Sequence, residues 1–575
     1  MASEFDLIIR NGTVIDGSGG QPFESDIAVR DGRIAEVGRI AARGREEIDA
    51  KGLVVTPGFV DIHTHYDGQA VWSDRLAPSS SHGVTSVVMG NCGVGFAPCR
   101  AGDRGLLISV MEGVEDIPEV VMTDGLTWDW ETFPQYLDAL ERRPHDIDFA
   151  TQIPHSAIRV FAMGARAPTE IATDEDKAKM QALVREALDA GALGFATSRL
   201  FIHRTGKGAF IPSYAAEEAE LGAMAQTLKE AGRGVLQFVL GRPGTRFIDD
   251  VRMVARLAKE SGRPASFSFA QDNSNADAWR EILDVVAKAN ASGSRIRAQI
   301  FPRPVGMMIG YELSVNPFCL CPSYQPLLAL PFPERIKALR DPSLRARLLS
   351  EKPLDPVAPL ALLGRNFERM FPLGDPPNYE PPMQTSIAAQ ARAQQGLTPE
   401  ELAYDTLLEE GGKKQLYVAL TNYARGNLDA VLEMMRRDDT VLGLGDGGAH
   451  YGMICDSGYP TFLLAHWTRD RHGDKLPLPQ AIRMLTRDPA ETVGLNDRGR
   501  IGRGYKADLN ILDYDSLELP APTVAYDLPA GGKRLMQGAK GIKTTIVSGV
   551  AIARDGEATG ARPGKLVRGA QGAPK

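Results

Sequence analysis

The stretch TPGFVDIHTHYDG, residues 56–68, decides the fold more than any other part of the chain. Its first half is a short apolar run that predicts a buried β-strand. Two histidines, His63 and His65, follow at the end of that strand. Residues two apart on a strand project to the same face, so both imidazoles are expected to face one site. At the carboxyl end of a barrel strand, that site is the mouth where active sites are built.

Seven more strand candidates follow, and helical patterns lie between many of them. Apolar residues recur at three- and four-residue intervals in Glu175–Gly191, for example, as expected for an amphipathic helix. This alternation predicts an α/β fold, a TIM-like (β/α)₈ barrel over residues 58–490. An open doubly wound sheet is the alternative, but no GxGxxG or Walker loop follows the first strand. The seven candidates are VTSVVMG, DIDFATQI, ALGFATS, GVLQFVL, PASFSFA, RIRAQIF and TVLGLGD.

Both ends of the chain are rich in strand patterns. The N-terminal patterns contain Asn11-Gly12 and Asp31-Gly32, dipeptides typical of hairpin turns. Similar alternation returns in KADLNILDYDSL and GIKTTIVSGVAIARDG near the C-terminus. These patterns predict a small β-sandwich built from residues 1–57 and 491–575. Between about residues 302 and 439, helices and Pro-rich runs surround a single strand candidate, QLYVAL, which predicts an insertion over the barrel mouth.

Composition restricts the class of partner. The net charge of −8 and the pI of about 5.7 argue against nucleic-acid or anionic-membrane binding, which favours basic surfaces. No apolar run approaches the ~20 residues that span a bilayer. The scattered cysteines and the absence of a signal peptide favour a reducing cytoplasm. We expect a cytoplasmic enzyme that acts on a small molecule, and homo-oligomer formation stays open. The cysteines are Cys92, Cys99, Cys319, Cys321 and Cys455.

Two further residues can complete a metal site with the histidines. Asp446 ends the last strand candidate, where a carboxylate can bind an ion weakly and move a proton from water to a leaving nitrogen. Its alternative role is a turn aspartate before Gly447-Gly448. Cys92 ends the second strand candidate; a thiolate is a soft zinc ligand, and a small buried hydrophobe is the alternative.

The order of these motifs resembles the amidohydrolase superfamily, and more narrowly its N-acyl-D-amino-acid deacylase (D-aminoacylase) branch. The motifs are DIHTHYDG, GVTSVVMGNCG, a late GD before Gly-Gly, and DPAETVGLNDRGRIGRGYKADLNILD, and the resemblance covers nearly the whole chain. It implies a metal-dependent hydrolase that cleaves an amide C–N bond. It also implies that His63 and His65 are metal ligands, that Cys92 is the cysteine ligand of this branch, and that Asp446 is the catalytic aspartate.

Two histidines that complete the tight metal site in that branch are missing here. Gln237 stands at the position of the first, and Phe269 at the position of the second. The branch lysine that helps hold the substrate carboxylate has Gln271 nearby instead. We therefore expect one divalent ion per chain, Zn²⁺, rather than two. We also expect a more apolar substrate pocket, lined by Phe269 together with Phe267, Met307, Met308 and Tyr311.

Three other histidines are candidates for contact with the substrate. His155 and His203 follow the third and fourth strand candidates, and either could replace a missing ligand or polarise the scissile carbonyl. His450, four residues after Asp446, could face the substrate. Each of the three has a purely structural alternative. Gln237, in place of a ligand, is the fourth candidate for substrate binding.

Three functional hypotheses follow from these residues. The first is metal-dependent hydrolysis of an N-acyl amino acid or a related hydrophobic N-acyl compound by activated water. The second is ring opening of a cyclic amide or lactone, which needs the same centre. The third is a metal-free scaffold or assembly module, motivated by the missing histidines. Retention of His63, His65, Cys92 and Asp446 together argues against the third, because a scaffold has no need of that set.

Overall fold

The structure, a computed structural model, describes residues 4–242, 244–355 and 359–574. Eight parallel strands, numbered here β1 to β8, form the centre of the fold, and each lies within one of the eight predicted strands. They are almost entirely buried, as expected for parallel strands covered on both faces. The strands are β1 Phe59–Asp61, β2 Val84–Met89, β3 Asp148–Thr151, β4 Gly194–Ser198, β5 Val235–Val239, β6 Ala265–Ser268, β7 Ile296–Ile300 and β8 Thr440–Leu442.

The strands pair as two parallel sheets. One contains β1, β2 and β3; the other contains β4 to β8 and a two-residue strand, Ile153–Pro154, that extends β3 and pairs with β4. The N–H of Leu193 also donates to the carbonyl of Thr151 at 2.8 Å, between β3 and β4. The N–H of Asp446 donates to the carbonyl of His63 at 3.1 Å. The segments that follow β1 and β8 therefore lie side by side, and this brings the predicted ligands together.

Helices cover the outer faces of these strands. The helix Asp174–Ala190 begins with a capping box between Thr173 and Asp176 and ends at Gly191, whose φ of 113° favours glycine. A π-helix spans Leu463–Asp470. The other helices are Gln69–Trp72, Arg104–Glu115, Glu119–Gly125, Phe133–Glu141, His155–Met163, Glu218–Ala231, Phe247–Ser261, Ala278–Ala291, Tyr459–Phe462, Leu478–Leu485 and Arg487–Thr492.

Strands from both termini form one nine-stranded sheet. Val54–Pro57 pairs antiparallel with Leu509–Leu512 and joins the two parts. The predicted hairpin turn at Asp31-Gly32 is present, but that at Asn11-Gly12 is wrong. Asn11, with φ of 56°, lies in a bulge within one continuous strand, because both flanking halves pair with the same neighbour. The remaining strands are Phe5–Val14, Phe23–Arg30, Arg33–Gly38, Gly44–Asp49, Ile542–Val547, Val550–Arg554 and Glu557–Ala558.

The C-terminal segment also contains a pair of strands outside this sheet. Thr523–Ala525 and Arg534–Met536 pair antiparallel. Further on, the N–H of Phe149 donates to the carbonyl of Lys565 at 3.1 Å, so the end of the chain returns to β3. Residues 1–3, 243, 356–358 and 575 lie outside the described residues, including the ends of the predicted terminal segments and part of the predicted insertion. Among the described residues, no helix combines the length and apolar character required to cross a lipid bilayer.

Residues between β7 and β8 form a layer with a core of its own. Leu416–Ala419, within the predicted QLYVAL strand, is the centre of a three-stranded antiparallel sheet with Gly306–Ile309 and Met370–Pro372. The last two strands were not predicted, since short strands paired across a long separation leave little local pattern. The helices here are Phe332–Leu339, Pro342–Ser350, Pro359–Gly364, Ile387–Ala393, Pro399–Leu407 and Asp429–Met435.

Candidate metal centre

Four side chains that the sequence singled out converge at the ends of β1, β2 and β8. Cys92 Sγ lies 3.4 Å from His63 Nε2 and 3.8 Å from His65 Nε2. Asp446 Oδ1 lies 3.6 Å and 3.7 Å from the same two nitrogens. The two histidines and the cysteine are buried, whereas the Asp446 side chain is 17% exposed. The four groups thus form a compact donor set with the carboxylate on its accessible side.

The backbone around Cys92 directs its thiol into this cluster. Cys92 has a φ of 55°, in the left-handed region that non-glycine residues seldom adopt. A Cβ on the preceding Gly90 would lie 2.2 Å from the carbonyl oxygen of Gln152, and one on Gly93 would lie 2.7 Å from Thr197 Cα. The turn is therefore packed tightly against the segments after β3 and in β4. Asp446 also has a left-handed φ, 48°, so strained backbone carries two of the four groups.

Both imidazoles turn Nε2 to the cluster and Nδ1 towards a side-chain oxygen on the other side. His63 Nδ1 lies 2.7 Å from Gln299 Oε1, and Gln299 Nε2 donates to Ser266 Oγ at 3.0 Å. His65 Nδ1 lies 3.3 Å from Glu115 Oε1. Sequence reasoning missed Gln299 and Glu115. Gln299 lies in the predicted seventh strand, where side-chain alternation could have found it, but no local motif marks Glu115.

Burial sets the protonation of the cluster. It lowers the pKa of His63 to about 4, against the opposing effect of the Gln299 hydrogen bond, and lowers the pKa of His65 well below its usual value. Both imidazoles are therefore neutral near pH 7, the form that binds metals. Burial raises the pKa of Asp446 to about 7 and, with the charges of Glu115 and Asp446, raises that of Cys92 well above its usual range. A bound cation would favour the ionised forms of both acids.

Of the other predicted histidines, the structure brings two to this neighbourhood. His450 Nε2 lies 3.5 Å from Glu115 Oε2, and His203 Nδ1 lies 2.8 Å from Ser198 Oγ. Both histidines lower the pKa of His65 electrostatically, after the larger effect of burial. His155 lies instead in a separate buried network. Its Nδ1 is 2.8 Å from Thr197 Oγ1 and its Nε2 is 2.7 Å from Glu220 Oε1. Both nitrogens are engaged, so the expected substrate or ligand role of His155 is replaced by a structural one.

The residues at the positions of the missing histidines differ in orientation. Gln237 is buried in β5, and its Oε1 accepts no hydrogen bond from the described residues. Phe269 packs on Phe247 and Phe267, with ring centroids 5.8 Å from each. Ser268, the residue before it, pairs with Gln299, whose side chain faces His63. Because side chains alternate along a strand, Phe267 and Phe269 face the helix layer, and the expectation that they line the substrate pocket is wrong.

Other residues expected around the substrate also have different surroundings. Gln271 Nε2 donates to the carbonyl of Ala276 at 2.8 Å, and its Oε1 accepts from the N–H of Ala424 at 3.3 Å. Its amide is thus committed to backbone groups. Met307 and Tyr311 pack in the hydrophobic core of the layer between β7 and β8, whereas Met308 belongs to the main core. The predicted apolar wall made by this set does not form.

Parallel strands with two histidines, a cysteine and an aspartate at their carboxyl ends define a class of metal-dependent hydrolases. Residues 46–553 match the model of the amidohydrolase family, and the chain belongs to this family. It is a metal-dependent amidohydrolase that acts on C–N bonds, in the D-aminoacylase-like branch.

Two relatives agree with this assignment, and a solved structure has a similar fold. D-aminoacylase from Alcaligenes xylosoxydans xylosoxydans is 26% identical over 569 residues, 98% of this chain and 97% of that protein. N-acyl-D-aspartate deacylase from the same organism is 30% identical over 305 residues, 52% of this chain and 57% of that protein. A crystal structure of N-acyl-D-glutamate deacylase from Bordetella bronchiseptica, complexed with zinc and a phosphonate inhibitor, has a TM-score of 0.66. It is 23% identical and covers 98% of this chain and 100% of its own.

Proposed function

We propose that this chain hydrolyses the amide bond of an N-acyl amino acid, or of a related hydrophobic N-acyl compound, with one divalent ion per chain. The observation that carries the proposal is the convergence of His63 Nε2, His65 Nε2 and Cys92 Sγ beside the Asp446 carboxylate. Two neutral imidazoles, a thiol and a carboxylate make a donor set that suits Zn²⁺. A divalent ion held there would polarise the amide carbonyl and lower the pKa of a water molecule.

The single-ion stoichiometry is supported by the other side of the site. Gln237 carries an amide where the branch has a histidine, and an amide is a poor ligand for Zn²⁺. Phe269 carries a ring that packs on Phe247 and Phe267 and offers no donor atom. His63, His65, Cys92 and Asp446 therefore supply one complete site.

Asp446 is the residue we assign to proton transfer. Its carboxylate is the most exposed of the four groups, and a carboxylate ionised beside a bound cation can act as a general base at neutral pH. It can accept a proton from water and donate it to the departing amine nitrogen. His203 and His450 lie in the same electrostatic neighbourhood and are available to bind the polar part of the substrate. Gln237 Oε1, buried and unpaired among the described residues, is a further candidate acceptor.

The substrate class rests on relatives whose names specify N-acyl-D-amino acids and on the segment that bears His203. Phe201 and Ile202 precede that histidine and are 44% and 47% exposed. Large apolar side chains exposed beside a buried polar site favour an apolar group on the ligand. We therefore propose that the acyl group of the substrate contacts these two residues.

We further propose that the two parallel sheets form one closed TIM-like (β/α)₈ barrel over residues 58–490. The hydrogen bonds between Leu193 and Thr151, and between Asp446 and His63, support closure at both seams. Residues 1–57 and 491–575 would then form the β-sandwich domain, and residues 302–439 an insertion at the barrel mouth. The five free cysteines support a cytoplasmic location, with a small-molecule amide as the partner.

Metal analysis combined with a substrate panel tests this function. Protein purified without added metal should contain about one divalent ion per chain. It should hydrolyse N-acyl amino acids of one configuration faster than hydantoins or lactones under metal-replete conditions. A higher kcat/KM for the cyclic compounds would favour the ring-opening hypothesis. Folded protein that binds no metal and hydrolyses nothing in the panel would favour the scaffold hypothesis.

A further inference from the structure

Glu115 is a buried carboxylate that the proposed proton transfer does not use. It is the last residue of the helix Arg104–Glu115 and is 1% exposed. Among the described residues, the basic groups with a nitrogen within 4 Å of it are two imidazoles, those of His65 and His450. A carboxylate is not normally buried without a compensating partner. The two imidazoles are therefore the groups that Glu115 can act on.

The end of this helix is attached to the segment that follows β8. Asp116, with a left-handed φ of 50°, accepts a hydrogen bond from the N–H of Gly452 at 2.9 Å and another from Ser314 Oγ. The N–H of His450 donates to the carbonyl oxygen of Glu115. His450 itself has a left-handed φ of 52°. Two strained residues and three hydrogen bonds thus fix the Glu115 carboxylate against the metal centre.

The two oxygens of the Glu115 carboxyl group each lie near a nitrogen of a different ring. Its Oε1 lies 3.3 Å from His65 Nδ1, and neither of these buried atoms makes a hydrogen bond among the described residues. Its Oε2 lies 3.5 Å from His450 Nε2. A neutral imidazole carries one N–H, and the partner of one nitrogen decides which nitrogen keeps its lone pair. Donation from His65 Nδ1 leaves Nε2 free for an ion, and donation from His450 Nε2 leaves Nδ1 free.

His63 provides an internal comparison for this arrangement. Its Nδ1 has Gln299 Oε1 as a neutral acceptor at 2.7 Å, so its Nε2 is likewise left for the centre. Partners of this kind fix the tautomer and the orientation of metal-binding histidines. Glu115 differs from Gln299 because it is an acid, which has no amide N–H to offer a ring, and because it lies beside two rings. The freed His450 Nδ1 is a buried atom without a hydrogen-bond partner among the described residues.

The geometry points to Glu115 as a positioning residue that orients His65 for metal binding and His450 for contact with the substrate. This inference rests on the proposed function, because it assigns His65 as a ligand. One acidic side chain would then link the metal site to a histidine at its edge.

The test is Glu115→Gln, which keeps the shape and replaces the carboxyl group by an amide. Metal affinity is measured by chelator competition, without substrate, and the ligand geometry by the visible absorption spectrum of the Co²⁺-loaded protein. We expect a loss of about 10–100-fold in metal affinity and an altered spectrum, because the amide can donate to Nδ1 and favour the wrong tautomer. Thermal unfolding of the metal-free protein should be unchanged or shifted upward, which a merely structural residue would not give. Glu112→Gln, one turn earlier on the same helix, is the matched control and should behave like the unmodified chain.

The outcomes separate this inference from the proposed function. Unmodified protein that binds no divalent ion would overturn both. Unmodified protein that binds one ion, with Glu115→Gln equal to it in affinity and spectrum, would overturn the positioning role alone. If Glu115→Gln fails to fold, Glu115→Asp replaces it. Its shorter side chain keeps the carboxyl group and should therefore keep the tautomers of the two rings. We expect a smaller loss of metal affinity and a near-normal Co²⁺ spectrum. An affinity in Glu115→Asp equal to that of the unmodified chain would then count against the positioning role.

Discussion

The side chains at the ends of β1, β2 and β8 differ in chemical type from those on β5 and β6, although all five strands are parallel. The first group, called here the ligand side, carries His63, His65, Cys92 and Asp446. The second group, called the opposite side, carries Gln237 within β5, Ser268 at the end of β6 and Phe269 directly after it. On the ligand side, every imidazole nitrogen not facing the centre has a side-chain oxygen within 3.3 Å. On the opposite side, Gln237 Oε1 has no partner among the described residues.

This difference teaches that a metal site depends on its supporting groups as well as on its ligands. Gln299 binds one histidine of the ligand side, and we propose that Glu115 orients the other. On the opposite side, Phe269 packs on aromatic rings and Gln271 forms hydrogen bonds to the backbone.

The largest expected effect comes from removing the metal that the ligand side holds. Chelation, or His65→Ala, should lower kcat/KM by at least about 10³-fold, because several kcal/mol of transition-state stabilisation depend on the ion. One equivalent of Zn²⁺ should restore the chelated enzyme but not the variant. His472→Ala, at an exposed histidine, is the control. A requirement for two equivalents would contradict the single-ion site.

The next largest effect concerns the carboxylate of the ligand side. Asp446→Asn should lower turnover by about 10²–10⁴-fold, the range typical of a lost general acid–base. The fold should be retained, because asparagine tolerates the left-handed backbone that Asp446 adopts. Rate measurement and thermal unfolding together check both points, with Asp438→Asn on the exposed segment before β8 as the control. A folded variant with a near-normal rate would reduce Asp446 to a turn residue.

A third experiment places histidine on the opposite side. Phe269→His should lower the free energy of unfolding by about 2–4 kcal/mol, since it removes a buried ring and buries a polar group. It should leave the metal content at one ion, because this position faces the helix layer. Gln237→His, on a buried strand position, should fold more readily and tighten metal binding. Denaturant unfolding and elemental analysis measure these effects, and a second tightly held ion in Phe269→His alone would refute the assigned orientation.

The smallest expected effect concerns the acyl group. A long-chain N-acyl amino acid should give a higher kcat/KM than N-acetyl-D-alanine. Ile202→Ser should reduce that preference by about fivefold, or about 1 kcal/mol, if roughly 40 Å² of apolar contact is lost at ~25 cal/mol per Å². Val550→Ser, an equally exposed apolar residue on the terminal sheet, is the control. A preference for the acetylated substrate would show that the site is that of an ordinary D-aminoacylase.

Local sequence patterns were sufficient to predict the eight parallel strands. Each is a short apolar run bounded by turn residues and followed in most cases by an amphipathic helix, so its type depends little on distant partners. Pairing across long separations was not predictable in the same way. The strands Gly306–Ile309 and Met370–Pro372 were missed, and the bulge at Asn11 was interpreted as a turn. An Asn-Gly dipeptide fits either a hairpin turn or a bulge. Only the pairing of the flanking residues with a neighbouring strand decides between the two.

The sequence by itself determined the α/β class, the family and the residues His63, His65, Cys92 and Asp446, because these lie in short motifs at strand ends. The tertiary structure alone decided which distant groups serve them. Glu115 ends a helix and Gln299 lies in β7, and neither spacing nor composition reveals that they reach the two imidazoles. It also decided that Phe269 packs outward and that His155 pairs with Glu220. The physical reason is that ligand type is a property of one residue, whereas orientation and hydrogen bonding are properties of residues brought together by folding.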